Sequence, residues 1–395
     1  MKIAYAAPAR RQRSCTPQPP DGKSLSTFFS IVIAIFALAF FCNTPKSVAQ
    51  GSSLQSLPPL SVKDSTMYCF LGELQDQAKS RIIALQGDIN FLGTAIEGKY
   101  HYNGGVGIVE IKGKIAKDGS VSINEVTSAG EFSYNPDHKE KITAKITGKL
   151  DRAQGVITGS WVSQDGKTTF PCTMRLVARY EKKKHPKLVV STAYPVFVSP
   201  EYAVLNDSLA RWMKASFDSS VVSVKSLIEE YKGMTDLSFK PEERLSETDD
   251  VGVYHLTPTW VSMSNLAYTD GGGAHGNYGY DGITWQKRGN AWKRVKLQEL
   301  FTNDTAAYYK KINELLFAGL RKRQASFVMD GSVKDLRDGL RNGYQSWVVR
   351  PSGITFIFPP YAVASYAEGS LEVFVPWKAL KDYLRSDGLA GEFLK

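Results

Sequence analysis

Cysteine and histidine are scarce in this chain, with four and five residues among 395. Cys15 and Cys42 fall in the first 49 residues, which leaves Cys69 and Cys172 for the remainder. Two cysteines and scattered histidines make no zinc site of the usual spacing, and neither an H-E-x-x-H motif nor a close histidine pair occurs. There is no G-x-S-x-G elbow, and nothing in the sequence pairs a nucleophile with a base among His101, His138, His185, His255 and His275. No basic stripe interleaves with aromatics, which argues against nucleic acid as a partner. Long apolar runs are missing as well. Phe28–Phe41 spans 14 residues, short of the roughly 20 that a membrane-spanning helix takes.

What is present begins with an export signal. Arg10, Arg11, Arg13 and Lys23 precede the apolar run, and Ser47-Val48-Ala49 puts small residues where signal peptidase cuts, before Gln50. Residues 1–49 therefore read as a signal peptide, with periplasmic or other exported location. Extending the run from Leu25 to Cys42 keeps an uncleaved signal anchor open as the alternative, and with it the one expected contact with a membrane. Half of the net charge of +10 lies in this leader, so the mature chain is mildly basic. An even pair of cysteines in an oxidising compartment predicts a Cys69–Cys172 disulfide.

Residues 50–66 (starting "QGSSLQSLPPL") read as a linker. From 67 to 180, short alternating strands follow one another. In "KITAKITGKL" Ile142, Ala144, Ile146 and Leu150 alternate with Lys and Thr, and "VEIKGKI" does the same with Val109, Ile111 and Ile115. Turns are predicted at Asn103–Gly105, Asn135–Asp137, Asp118-Gly119 and Asp165-Gly166. This is an all-β antiparallel barrel or sandwich. "YEKKKHPK" supplies a second linker, 181–189. Beyond it, 190–385 reads as an α+β domain with helices on an antiparallel sheet. Asn206 or Asp207 is expected to cap a first helix and Asn303 or Asp304 a second, whose stripe is Tyr308, Ile312, Leu315, Leu316 and Leu320. A shorter helix capped at Ser332 is expected to close at Gly343.

The segment "YTDGGGAHGNYGYDGITW", Tyr268 to Trp285, concentrates the chemistry. Gly271, Gly273 and Gly276 match the dinucleotide fingerprint only literally, since strand composition follows where that motif needs a helix. No cofactor and no metal are expected. Two readings of the loop remain: a hairpin whose glycines take positive φ, or a rigid surface that shows Tyr268, His275, Tyr278, Tyr280 and Asp281 to a partner. Tyr361 and Tyr366 form a second tyrosine-rich candidate.

"YTDGGGAHG" before a strand, "LQELF" before a long helix, and "GITFIFPPYAVASYAEGSLEVFVPWKALKDYL" resemble one family. It is the extracytoplasmic domain of unknown function at the C-terminal end of the anti-sigma factor RsiV and in the accessory region of the peptidoglycan deacetylase PdaC. In the last block Gly353, Phe356, Phe358, Tyr361, Tyr366, Gly369, Val375, Pro376 and Leu380 correspond. Asp270 and one further glycine lengthen the loop relative to the usual Y-T-G-G-A-H. The resemblance implies a non-catalytic envelope module that binds or senses a protein or glycan, such as a lysozyme-like protein or peptidoglycan. An envelope glycan hydrolase or a deacetylase-associated protein is the alternative.

Overall fold

A computed structural model describes residues 67–102, 109–126, 140–234, 239–336, 346–385 and 390–394. The signal peptide, the 50–66 linker, the turns at Asn103–Gly105 and Asn135–Asp137, and the helix end at Gly343 lie outside the described residues. Contacts group residues 56–395 into one compact unit.

Eight strands form the first half: β1 (Met67–Asp76), β2 (Arg81–Leu92), β3 (Ala95–Tyr102), β4 (Val109–Ile115), β5 (Ser120–Val126), β6 (Ile142–Asp151), β7 (Val156–Ser163) and β8 (Thr169–Lys184). Each pairs antiparallel with the next, and β1 pairs back on β8, so the sheet closes as a barrel. Closure removes the exposed edges that an open sheet presents. The alternation read from the sequence fills its interior: Ile111, Ile115, Ala144, Ile146 and Leu150 are all buried. Ile142 departs from that pattern and is 46% exposed at the start of β6.

Strand β8 does not stop where the barrel does. Its last residues, Glu181 to Lys184, pair with β9 (Val189–Phe197), so the predicted 181–189 linker is corrected to a strand and a turn. A charged run is no obstacle to a strand whose side chains face solvent, because the lysine stems cover apolar surface while their ammonium groups stay in water.

From β9 the chain enters helix α1 (Ala203–Tyr231) and returns as β10 (Ser246–Leu256), parallel to β9. A helical crossover is what a parallel pair needs. The rest of the sheet is antiparallel, through β11 (Trp260–Asp270), β12 (Asn277–Arg288) and β13 (Ala291–Arg294). Helix α1 starts earlier than expected, and neither Asn206 nor Asp207 caps it. Asn206 instead grips Phe197, accepting from its N–H and donating to its carbonyl, both at 2.9 Å. One face of this sheet packs on α1 through Val251, Val253, Val261, Met263 and Ile283.

A second antiparallel sheet, β14 (Trp347–Arg350), β15 (Gly353–Phe358) and β16 (Leu371–Pro376), lies on the other face. Val349 N–H donates to Ser262 Oγ at 2.8 Å across the two sheets. Helix α2 (Thr305–Lys322), capped by Asp304 accepting from Ala307 N–H at 3.0 Å, covers the far side with Tyr308, Ile312, Leu316 and Leu320. Such a stripe stabilises by roughly 1.5–3 kcal/mol for each large side chain buried. The fold is α+β, as read from the sequence.

The expected disulfide is corrected. Cys69 and Cys172 are both buried free thiols. In the β1–β8 ladder Cys172 stands opposite Leu74, while Cys69 stands opposite Ala178. Five residues along a strand separate them by about 17 Å, against the roughly 7 Å between Cα atoms that a disulfide tolerates. Cys172 lines the barrel core, and Cys69 faces the α1 side.

Candidate functional site

The glycine segment is the tip of the β11–β12 hairpin. Asp270 closes it by accepting from Gly272 N–H at 2.9 Å, and Gly272 takes φ +84°. A Cβ there would meet Phe239 at 2.7 Å and the Tyr231 hydroxyl at 2.8 Å, so only glycine fits. Three groups outside the hairpin fasten this tip. Tyr231, at the end of α1, donates to Gly271 O at 2.8 Å, and Arg244 pairs with Asp270 at 3.4 Å while also bonding Gly273 O. Phe239 packs between them, with the Arg244 guanidinium 4.6 Å above its ring. The segment is a hairpin tip in which Gly272, and not Gly271, Gly273, Gly276 or Gly279, takes positive φ, and the tip is held on one side.

On its other side the tip meets the segment between β15 and β16. The His275 ring stacks on Tyr366, with centroids 3.8 Å apart and planes 22° apart. His275 Nδ1 lies 2.8 Å from Gly276 O and Nε2 lies 3.1 Å from the Tyr361 hydroxyl. Tyr366 donates to Gly276 O at 2.8 Å. Tyr268 and Tyr278 stand opposite each other in the β11–β12 ladder, and Tyr280 follows on the same face, 3.1 Å from Ser370 Oγ. Tyr278 sits edge-on to both Tyr280 and Tyr366. Burial raises the Tyr268 phenol above its ordinary range.

Six of the seven candidates thus meet: Tyr268, His275, Tyr278, Tyr280, Tyr361 and Tyr366. Asp281 does not. It points to the opposite face of β12 and pairs with Arg294 at 3.0 Å. The Tyr361–Glu368 segment is held by its own cap, in which the Ser365 and Ser326 hydroxyls and N–H groups donate to Glu368. Those bonds, Ser326 foremost, hold the Glu368 carboxyl below its usual range.

A carbonyl and a phenol take the two ring nitrogens of His275, and among the described residues no carboxylate or second histidine is bonded to either. Among the described residues no three His, Cys, Asp or Glu side chains gather as metal ligands. The contacts within the cluster are stacking and hydrogen bonds.

Two polar features escaped the sequence reading. Glu125, 4% exposed inside the barrel, accepts from the hydroxyls of Tyr100 and Tyr102, from Trp161 Nε1, and from Thr143 Oγ1 at 3.3 Å. Its one signal was a carboxylate in phase with inward Val121 and Ile123. Arg350 is fully buried between the two sheets. Its Nε donates to Thr355 Oγ1 at 2.9 Å, Glu372 lies 3.6 Å away, and its guanidinium covers the Tyr254 ring at 4.5 Å.

The fold and surface define a barrel joined to an α+β module that displays a histidine–tyrosine cluster. Residues 298–378 match the family described as "Protein of unknown function (DUF3298)", so the chain carries a DUF3298 domain there, which includes Tyr361 and Tyr366. Two solved structures are similar. A DUF3298 family protein from Pseudomonas aeruginosa PAO1 is 15% identical, with a TM-score of 0.37 over 53% of this chain and 93% of that one. A member of the DUF3298 family from Bacteroides fragilis NCTC 9343 is 17% identical, with a TM-score of 0.36 over 55% of this chain and 95% of that one. No curated protein matches the chain.

Proposed function

We propose that this is a non-catalytic binding or sensing protein of the cell envelope, exported by its N-terminal signal, with the histidine–tyrosine cluster as its contact surface. One observation carries the reading: six aromatic candidates from two segments about 90 residues apart in the chain converge on a hairpin tip that is braced from behind. Tyrosine suits recognition because it contributes contact area and a polar tip at little cost in rotamer entropy. The resemblance to the RsiV and PdaC domain supports an envelope ligand, either a lysozyme-like protein or peptidoglycan.

Calorimetric titration of the purified protein with a lysozyme and with peptidoglycan fragments tests this, alongside a Tyr278→Ala/Tyr280→Ala variant. At least one ligand binds the parent protein, and the variant loses tenfold or more. Binding to neither, or glycan turnover that His275→Ala abolishes, defeats the reading and favours the hydrolase. N-terminal sequencing of the exported protein is expected to begin at Gln50; a retained leader in the membrane fraction points to the anchor.

A further inference from the structure

Tyr361 is the exposed tyrosine of the cluster, with more than half of its surface open to solvent. It also sits at φ +67°, in the left-handed region. Only Ser80 and Gln324 share that geometry among the described non-glycine residues, and each ends a helix, where a left-handed residue is ordinary. Tyr361 ends none. It lies in a tight turn in which its N–H donates to Ala364 O at 3.0 Å. Glycine or asparagine takes this conformation with less strain, whereas a bulky aromatic does so at a cost. A strained backbone beneath an exposed ring means that the ring serves something other than folding.

The geometry of three of the rings indicates what that is. Tyr361, His275 and Tyr366 lie with their planes within 34° of one another and centroids between 3.8 and 6.2 Å apart, His275 stacked on each tyrosine and the two tyrosines tilted to each other. Polar atoms sit at the rim, where His275 Nε2 and the Tyr361 hydroxyl meet at 3.1 Å. None of the six cluster side chains carries a carboxylate or a fixed positive charge. These six side chains offer no acidic contact of their own to a strongly basic protein partner. A sugar ring has the complementary shape: a flat face of C–H groups with hydroxyls around its edge.

We infer that Tyr361 is a stacking platform for a neutral saccharide, and that its left-handed backbone is retained to present it. This rests on the binding reading above and narrows it to one ligand class. The probe is a β-1,4-linked N-acetylglucosamine hexamer, titrated by calorimetry into the full protein and into Tyr361→Gly, Tyr361→Trp and Tyr366→Ala. The parent protein binds, Tyr361→Gly loses tenfold or more, and Tyr361→Trp stays within about threefold. Thermal melting supplies the readout that a packing role would not produce. Tyr361→Gly keeps or raises the melting temperature because the strain is relieved, whereas Tyr366→Ala lowers it. Tyr361→Gly melting as low as Tyr366→Ala, or hexamer binding unchanged in Tyr361→Gly, overturns the inference. A protein that binds lysozyme through the cluster but ignores the hexamer removes the saccharide and leaves the binding role standing. One that binds neither removes both.

Discussion

His255 shows what single residues can hide. It is 8% exposed on β10, near the Phe393 ring, and burial pushes its imidazole down to about 4. An unfolded chain returns it to about 6.5. With the folded value depressed, the unfolded state takes up the proton first on acidification. The neutral ring's contribution is therefore whole above pH 6.5 and is lost as pH falls from 6.5 towards 4. It amounts to about 3 kcal/mol, from 1.36 kcal/mol per pH unit. Urea unfolding at pH 7 and pH 4.5 is expected to show that loss, and His255→Gln to flatten it. At the hairpin tip, Gly272→Ala is expected to cost about 1–3 kcal/mol by the same measurement, from the strained φ and the collision with Phe239 and Tyr231. It should weaken binding with it, since the braced tip carries His275.

Among the elements, α2 was the most legible. Its apolar residues recur at helical spacing and a cap at Asn303 or Asp304 precedes them, so its start and all of its buried face but half-buried Leu315 followed from the chain alone. Leu316→Ala, at a fully buried point facing the second sheet, is expected to lower stability by about 2–5 kcal/mol in chemical denaturation. Barrel strands were legible for the same reason, with a period of two. Hidden from a linear reading was anything set by pairing between distant segments. The parallel β9–β10 ladder depends on where α1 delivers the chain. The Glu125 network draws on β3, β5, β6 and β7, which no local spacing brings together. The tyrosine cluster was half visible: each segment stood out by composition, but their meeting depends on how the second sheet lies against the first. Asp281 was misplaced by one residue of alternation, since it neighbours Tyr280 in sequence and faces the other way.

For the whole molecule, the cysteine count pointed to a bridge that the register forbids. Parity says that two thiols exist; it says nothing of where the ladder puts them. The protein is therefore expected to melt at the same temperature with and without a reductant, and to release two thiols to a thiol reagent only on unfolding, counting from residue 50 onward. Burial raises both thiols, Cys172 to about 12, so neither is a ready nucleophile while folded.

Strand β8 also belongs to both halves, pairing with β1 and β7 along its first part and with β9 along its last. The barrel and the α+β module therefore cannot swing like beads on a string. A force on the hairpin passes through β10 and β9 into β8, and reaches the barrel along its closing seam. There seven residue pairs join β8 to β1. Anything that grips the tyrosine cluster holds the barrel by its spine.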